Sequence, residues 1–153
     1  MTQYSFVAVL ALLVSFNAFA YCPKLEGKYE CADSKGVSYQ IGFDTFYSED
    51  YTQYFIDSGL EILEVKTDAM KSYLAGSSTD YVQSYCASRD VLTVVRRGAS
   101  DPAFQYVQVT LDVTLSGTAL DPIRSLIIQG SDERKKLDGT VVTTQSSFIC
   151  SKI

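Results

Sequence analysis

From Tyr29 to Cys150, apolar and polar residues alternate with a period of two, the pattern of β-strands that bury one face. In residues 37 to 43, Val37, Tyr39, Ile41 and Phe43 alternate with Ser38, Gln40 and Gly42. In residues 107 to 115, Val107, Val109, Leu111, Val113 and Leu115 alternate with Gln108, Thr110, Asp112 and Thr114 without exception. Turn-forming residues separate such runs at Asp33-Ser34-Lys35-Gly36, Asp57-Ser58-Gly59, Gly98-Ala99-Ser100-Asp101-Pro102, Ser116-Gly117, Gln129-Gly130-Ser131-Asp132 and Asp138-Gly139. Tyr47 to Asp50 is a further connection, without Gly or Pro. The strands predicted are 27–32, 37–43, 52–56, 60–66, 81–87, 91–97, 104–115, 123–128 and 141–150. Met70, Tyr73 and Leu74 fall at helical spacing behind Thr67 or Asp68 as an N-cap, so one short helix is allowed near 67–75. Regularly spaced short strands without a repeat or linker predict an all-β fold. The expected form is an antiparallel up-and-down meander, closed or nearly closed into a barrel of eight to ten strands.

Ahead of this pattern, an apolar run from Phe6 to Phe16 leads through Ala18-Phe19-Ala20 into Cys22. The run is short for a bilayer span, and its small-x-small ending is the pattern that signal peptidase cleaves, although the only positive charge before it is the terminal amine. The expected organisation is therefore a signal peptide over 1–20 and one domain over 21–153, exported to the periplasm or the cell exterior. No stable membrane insertion is expected after cleavage. A lipid anchor on Cys22 would need a small residue where Tyr21 stands.

The chain of 153 residues holds 13 Lys and Arg against 18 Asp and Glu, a net charge of −5. That balance argues against nucleic acid as a partner, which requires a concentrated positive surface. The one dense basic run, Arg134-Lys135-Lys136, follows Asp132-Glu133 and reads as a solvated turn. From Asp44 to Asp68 the chain is acidic, with Asp44, Glu49, Asp50, Asp57, Glu61, Glu64 and Asp68 set against Lys66 alone, so a basic protein could dock there.

Cys22, Cys31, Cys86 and Cys150 make an even number in an exported chain, which predicts two disulfides in one of three pairings. An extended stretch between Cys22 and Cys31 would separate them too far for a local bridge. In a closed meander the start of the first strand lies beside the end of the last, which favours Cys22 with Cys150 and Cys31 with Cys86. No C-x-x-C spacing is present and the chain has no His, so neither a metal site nor a cofactor is expected. The absence of His also removes Ser-His-Asp and Cys-His catalysis. Asn17 is the only Asn, so the expected mature chain has no site for N-glycosylation.

Three local resemblances bear on function. Leu25-Glu26-Gly27-Lys28-Tyr29 is similar to the Gly-x-aromatic opening strand of lipocalin-like, calycin-type secreted β-barrels, with Tyr29 where that family usually has Trp. It implies an eight-stranded cup that holds a small apolar molecule. Tyr29-Glu30-Cys31, followed by Gly36 and the 37–43 strand, resembles the opening of small periplasmic lysozyme inhibitors, but their Ser-Gly-x-x-Tyr loop has no counterpart here. Tyr54-Phe55-Ile56-Asp57-Ser58-Gly59 resembles the apolar-Asp-Ser/Thr-Gly signature of aspartic proteases, which in a chain with one copy would imply a catalytic homodimer. Leu60 departs from the small residue that follows in that family, and a tight hairpin turn explains Asp57-Ser58-Gly59 equally well.

Parity assigns Tyr29, Tyr39, Ile41, Phe43, Val109, Leu111 and Val113 to the interior as candidate ligand-lining residues. Tyr47, Tyr51 and Tyr54 crowd around Glu49 and Asp50 and form a candidate partner surface, because amphipathic rings favour interfaces. The expectation is an exported, non-catalytic binding protein with a small apolar ligand in its barrel. The alternatives are a surface-acting module of the lysozyme-inhibitor kind and a protease through Asp57.

Overall fold

A computed structural model describes residues 22–74, 76–99, 101–116 and 125–153. The expected signal peptide and the Gly117 turn lie outside the described residues. Ten antiparallel strands follow one another: β1 (Gly27–Asp33), β2 (Ser38–Tyr47), β3 (Thr52–Asp57), β4 (Ile62–Lys66), β5 (Ser72–Tyr73), β6 (Tyr81–Ser88), β7 (Val91–Gly98), β8 (Phe104–Ser116), β9 (Ser125–Lys136) and β10 (Val141–Lys152). They form one sheet in the order β4-β3-β2-β1-β10-β9-β8-β7-β6-β5, an up-and-down meander in which the first strand lies beside the last. The sheet curls through 321°, so its two edges nearly meet.

The edges are joined by polar contacts instead of a full ladder. The Ser84 hydroxyl on β6 donates to the Lys66 carbonyl at the end of β4 (2.6 Å), and the Ala69 N–H donates back to the Ser84 carbonyl (3.0 Å). The Gln83 amide donates to the Ala69 carbonyl (2.6 Å). These bonds account for the segment where a short helix was allowed. Residues 67–74 are not helical: Asp68 accepts the Met70 N–H (2.9 Å), Ala69 turns left-handed at φ 58°, and the chain enters β5. Met70 is exposed, so a helix here would have had no apolar face to bury.

A second expectation also fails. Gln129-Gly130-Ser131-Asp132, read as a turn, lies within β9, which runs unbroken to Lys136 and carries the Arg134-Lys135-Lys136 run with it. Gly130 stands between Leu111 and Ser146 in the ladder, where an added Cβ would approach the Ser146 Oγ to 2.6 Å. The glycine therefore serves close packing in extended backbone, a use that a local reading cannot tell from a turn. The true turn is Asp138-Gly139: Asp138 accepts the Thr140 N–H (2.8 Å), which holds its carboxyl below the usual range, and Gly139 has φ 86°.

One core lies inside the barrel at the end where the amino-terminal strap enters. Leu25, Tyr29, Cys31, Ile41, Phe43, Tyr54, Ile56, Val65, Val82, Leu92, Val94, Val113, Leu126, Ile128 and Cys150 make one buried cluster. The strap from Cys22 to Glu26 lies across that end. The Tyr54 hydroxyl donates to the Pro23 carbonyl (2.6 Å), Thr45 donates to the Leu25 carbonyl, and Leu25 is wholly buried.

The disulfides pair Cys22 with Cys86 and Cys31 with Cys150, the reverse of the expected partners. The expectation placed Cys22 at the start of the first strand, but β1 begins at Gly27, and Cys31 is the residue directly opposite Cys150 in the ladder. Cys22 is left on the strap, which carries it across the barrel end to β6. The two bridges imply folding in an oxidising environment.

Non-reducing peptide mapping should yield the Cys22–Cys86 and Cys31–Cys150 peptides alone. A Cys22→Ser, Cys86→Ser double variant should lose roughly 2–5 kcal/mol in urea unfolding. Burial raises the Tyr54 phenol well above its ordinary value of 10.0, with nearby Tyr47 adding to the effect. A raised folded pKa gives stability that is fully present below the unfolded value and is lost as pH rises past it. Urea midpoints should therefore fall above about pH 10. Tyr54→Phe should flatten that fall while costing roughly 1–3 kcal/mol at neutral pH through the unpaired Pro23 carbonyl.

Candidate functional site

Of the residues expected to line a cavity, Tyr29, Ile41, Phe43 and Val113 are buried in the core cluster, and Tyr39 and Leu111 pack against it. Tyr29 meets Phe43 edge-on at 5.9 Å and Tyr39 meets Phe148 edge-on at 5.0 Å. Val109 is half-buried nearer the far end of β8. All but Val109 therefore belong to the core cluster or pack against it.

A cavity of about 370 Å³ lies on the opposite, outward face of β8, β9 and β10. Its geometry follows from the register. Asp112, Gln129 and Ser147 form one cross-strand row, and Thr110, Ser131 and Gln145 form the next. Their neighbours along each strand, Val113, Ile128 and Phe148, turn inward to the core, so the alternation that fills the barrel also builds this face. Gly130 and Ser146 also border the trough, although their side-chain positions share the inward parity of Ile128 and Phe148.

The lining is chemically uniform, with hydroxyls, two amides and a single carboxylate. Asp112 is half-buried, and its Oδ1 accepts a hydrogen bond of 2.6 Å from the hydroxyl of Thr93, which is itself buried. That bond orients the carboxylate. Among the described residues, the outward side chains of Gln129, Ser131, Gln145 and Ser147 have no hydrogen-bond partner in the protein. The following row is used internally: the Tyr106 hydroxyl donates to Glu133 (2.7 Å), which raises the phenol's pKa, and Arg97 stacks on the Tyr106 ring at 3.9 Å. The trough thus offers hydrogen-bond donors and acceptors and is lined by no cationic or apolar side chain. Such a surface can hold a neutral, hydroxyl-rich molecule.

The acidic loop between β2 and β3 is partly as expected. Phe46, Tyr47, Glu49 and Asp50 are exposed, and Tyr51 is half-buried with the Lys66 ammonium over its ring at 5.4 Å. Tyr54 does not belong to that surface. It is wholly buried because β3 turns it inward to meet the strap, a contact that no local pattern announces. Asp57 accepts the Gly59 N–H (2.8 Å) and Ser58 bonds to Glu61, so this segment forms the exposed turn between β3 and β4. Among the described residues, no group of three or more His, Cys, Asp or Glu side chains gathers as a metal site, and no helix is long and apolar enough to cross a membrane.

The trough residues were visible only as the polar half of each alternation. A cue was available: between Asp138 and Lys152 the outward positions are Val, Thr, Gln, Ser and Ile, without the Lys and Glu that usually solvate such a face. Comparison with protein-family models, with characterised proteins and with solved structures finds no match.

Proposed function

We propose that the protein is an exported, non-catalytic recognition protein that binds a small neutral saccharide on the outside of its barrel. The observation that supports this most is the polar trough of about 370 Å³, within the span of roughly 300–1,000 Å³ typical of small-ligand sites. Its two glutamine amides and oriented Asp112 carboxylate are planar groups suited to adjacent hydroxyls. The packed interior favours this outer site over an apolar cup. The engagement of Asp57 in a turn, together with the lack of His, supports a binding role over a catalytic one. The two disulfides suit a periplasmic or extracellular setting.

Backbone-amide NMR with maltotriose, cellotriose and chitotriose as probes tests the reading. At least one should shift Thr110, Asp112, Gln129, Ser131 and Gln145, and Asp112→Asn or Gln129→Ala should weaken it about tenfold. Anilinonaphthalene sulfonate should show no fluorescence gain. Uptake of that dye abolished by Phe43→Asp in a folded protein, or a trough unmoved by all three sugars, would overturn the proposal.

The exposed Phe46, Tyr47, Glu49 and Asp50 favour a second reading, a contact with a basic protein. With hen lysozyme as the cationic probe, a Glu49→Lys, Asp50→Lys variant should lose any binding measured by calorimetry. Unchanged binding would remove the loop from consideration.

A further inference from the structure

The pairing of β10 changes along its length. Over Phe148–Ser151 it is flanked by β9 on one side and β1 on the other, because Asp33 at the end of β1 lies opposite Phe148. From Val141 to Ser147 it pairs with β9 alone. Among the described residues nothing pairs with the other side, and all seven residues are exposed. Half of the backbone donors and acceptors of this stretch therefore face outward, as a template for another strand.

Proteins protect such edges with charge, proline, a bulge or shortness. β4, at one end of the sheet, is five residues long and carries Glu64 and Lys66; β5, at the other, has two residues. β10 has no comparable protection. Between Asp138 and Lys152 there is no charged residue and no proline, and Val141, Val142, Thr143 and Thr144 are β-branched. The ladder with β9 is regular from Val141 to Ser151.

We infer that this edge pairs antiparallel with the same edge of a second copy, about a two-fold axis through Thr144. The register is self-complementary. Val142 lies opposite Ser146 of the second copy, Thr143 opposite its Gln145, and the two Thr144 residues face each other, a favourable cross-strand pair. No like charges meet. Odd positions meet odd positions, so the outward faces of the two sheets join on one side and the two troughs lie on one continuous surface. A repeating saccharide could then be held at two points, a consequence that rests on the function proposed above, whereas the pairing itself does not.

Sedimentation velocity on the exported, disulfide-bonded protein tests the pairing. The wild type should dimerise, and Thr144→Lys or Thr144→Glu should each give folded monomers because like charges then meet on the axis. Mixing the two variants one to one should restore a dimer. A wild-type monomer at millimolar concentration, a dimer that survives Thr144→Lys, or a mixture that stays monomeric would overturn the inference. Trisaccharide shifts measured on the Thr144→Lys monomer report separately on the trough.

Discussion

The Cys22–Cys86 disulfide ties a strap that precedes the first strand to β6, near the far edge of the sheet, and much of the interior depends on that tie. A meander curled through 321° has a strong reason to open again, since its outer strands meet through a few polar contacts and not through a ladder. The strap resists opening in two ways. It spans the barrel end as a covalent link, and it lays Leu25 and the Pro23 carbonyl over the core, where Tyr54 and Thr45 bond to it. Cys31–Cys150 has a narrower role, joining two strands that the ladder already places side by side.

With one end capped and filled, the distinctive surface of the molecule lies on β8, β9 and β10, the longest strands. Their inner positions supply Val113, Leu126, Ile128 and Cys150 to the core, which fixes their outer positions as a regular polar grid. Length has a second effect. β10 continues past the end of β1, so its first seven residues have one neighbouring strand where Phe148–Ser151 have two. The trough and the free edge arise from the same overhang, and Gln145 and Ser147 belong to both.

The interior shows why a fold resemblance is a poor guide to a cavity. A barrel of this size can be filled by side chains or left open, and the choice depends on side-chain volume and on what closes the end. Here the aromatic rings of Tyr29, Phe43 and Tyr54 and the strap residue Leu25 occupy the space. Any function of the outer wall would rest on its side-chain chemistry and not on the fold.

The strand order and the approximate limits of most strands were legible in the chain, because period-two alternation follows from a pleated backbone with one buried face and needs no knowledge of neighbours. Part of the core was legible for the same reason, as with Ile41, Phe43 and Val113, whereas Tyr54, expected on the surface, is buried against the strap. Three matters were decided only in three dimensions. Cysteine pairing depended on where the first strand begins and on the path of the strap. Gly130 serves a close approach between strands, although its neighbours Ser131 and Asp132 suggest a turn. The trough joins residues from three strands whose register is set by the whole ladder. Alternation specifies which face a residue takes, and only the folded sheet specifies which residue stands beside it.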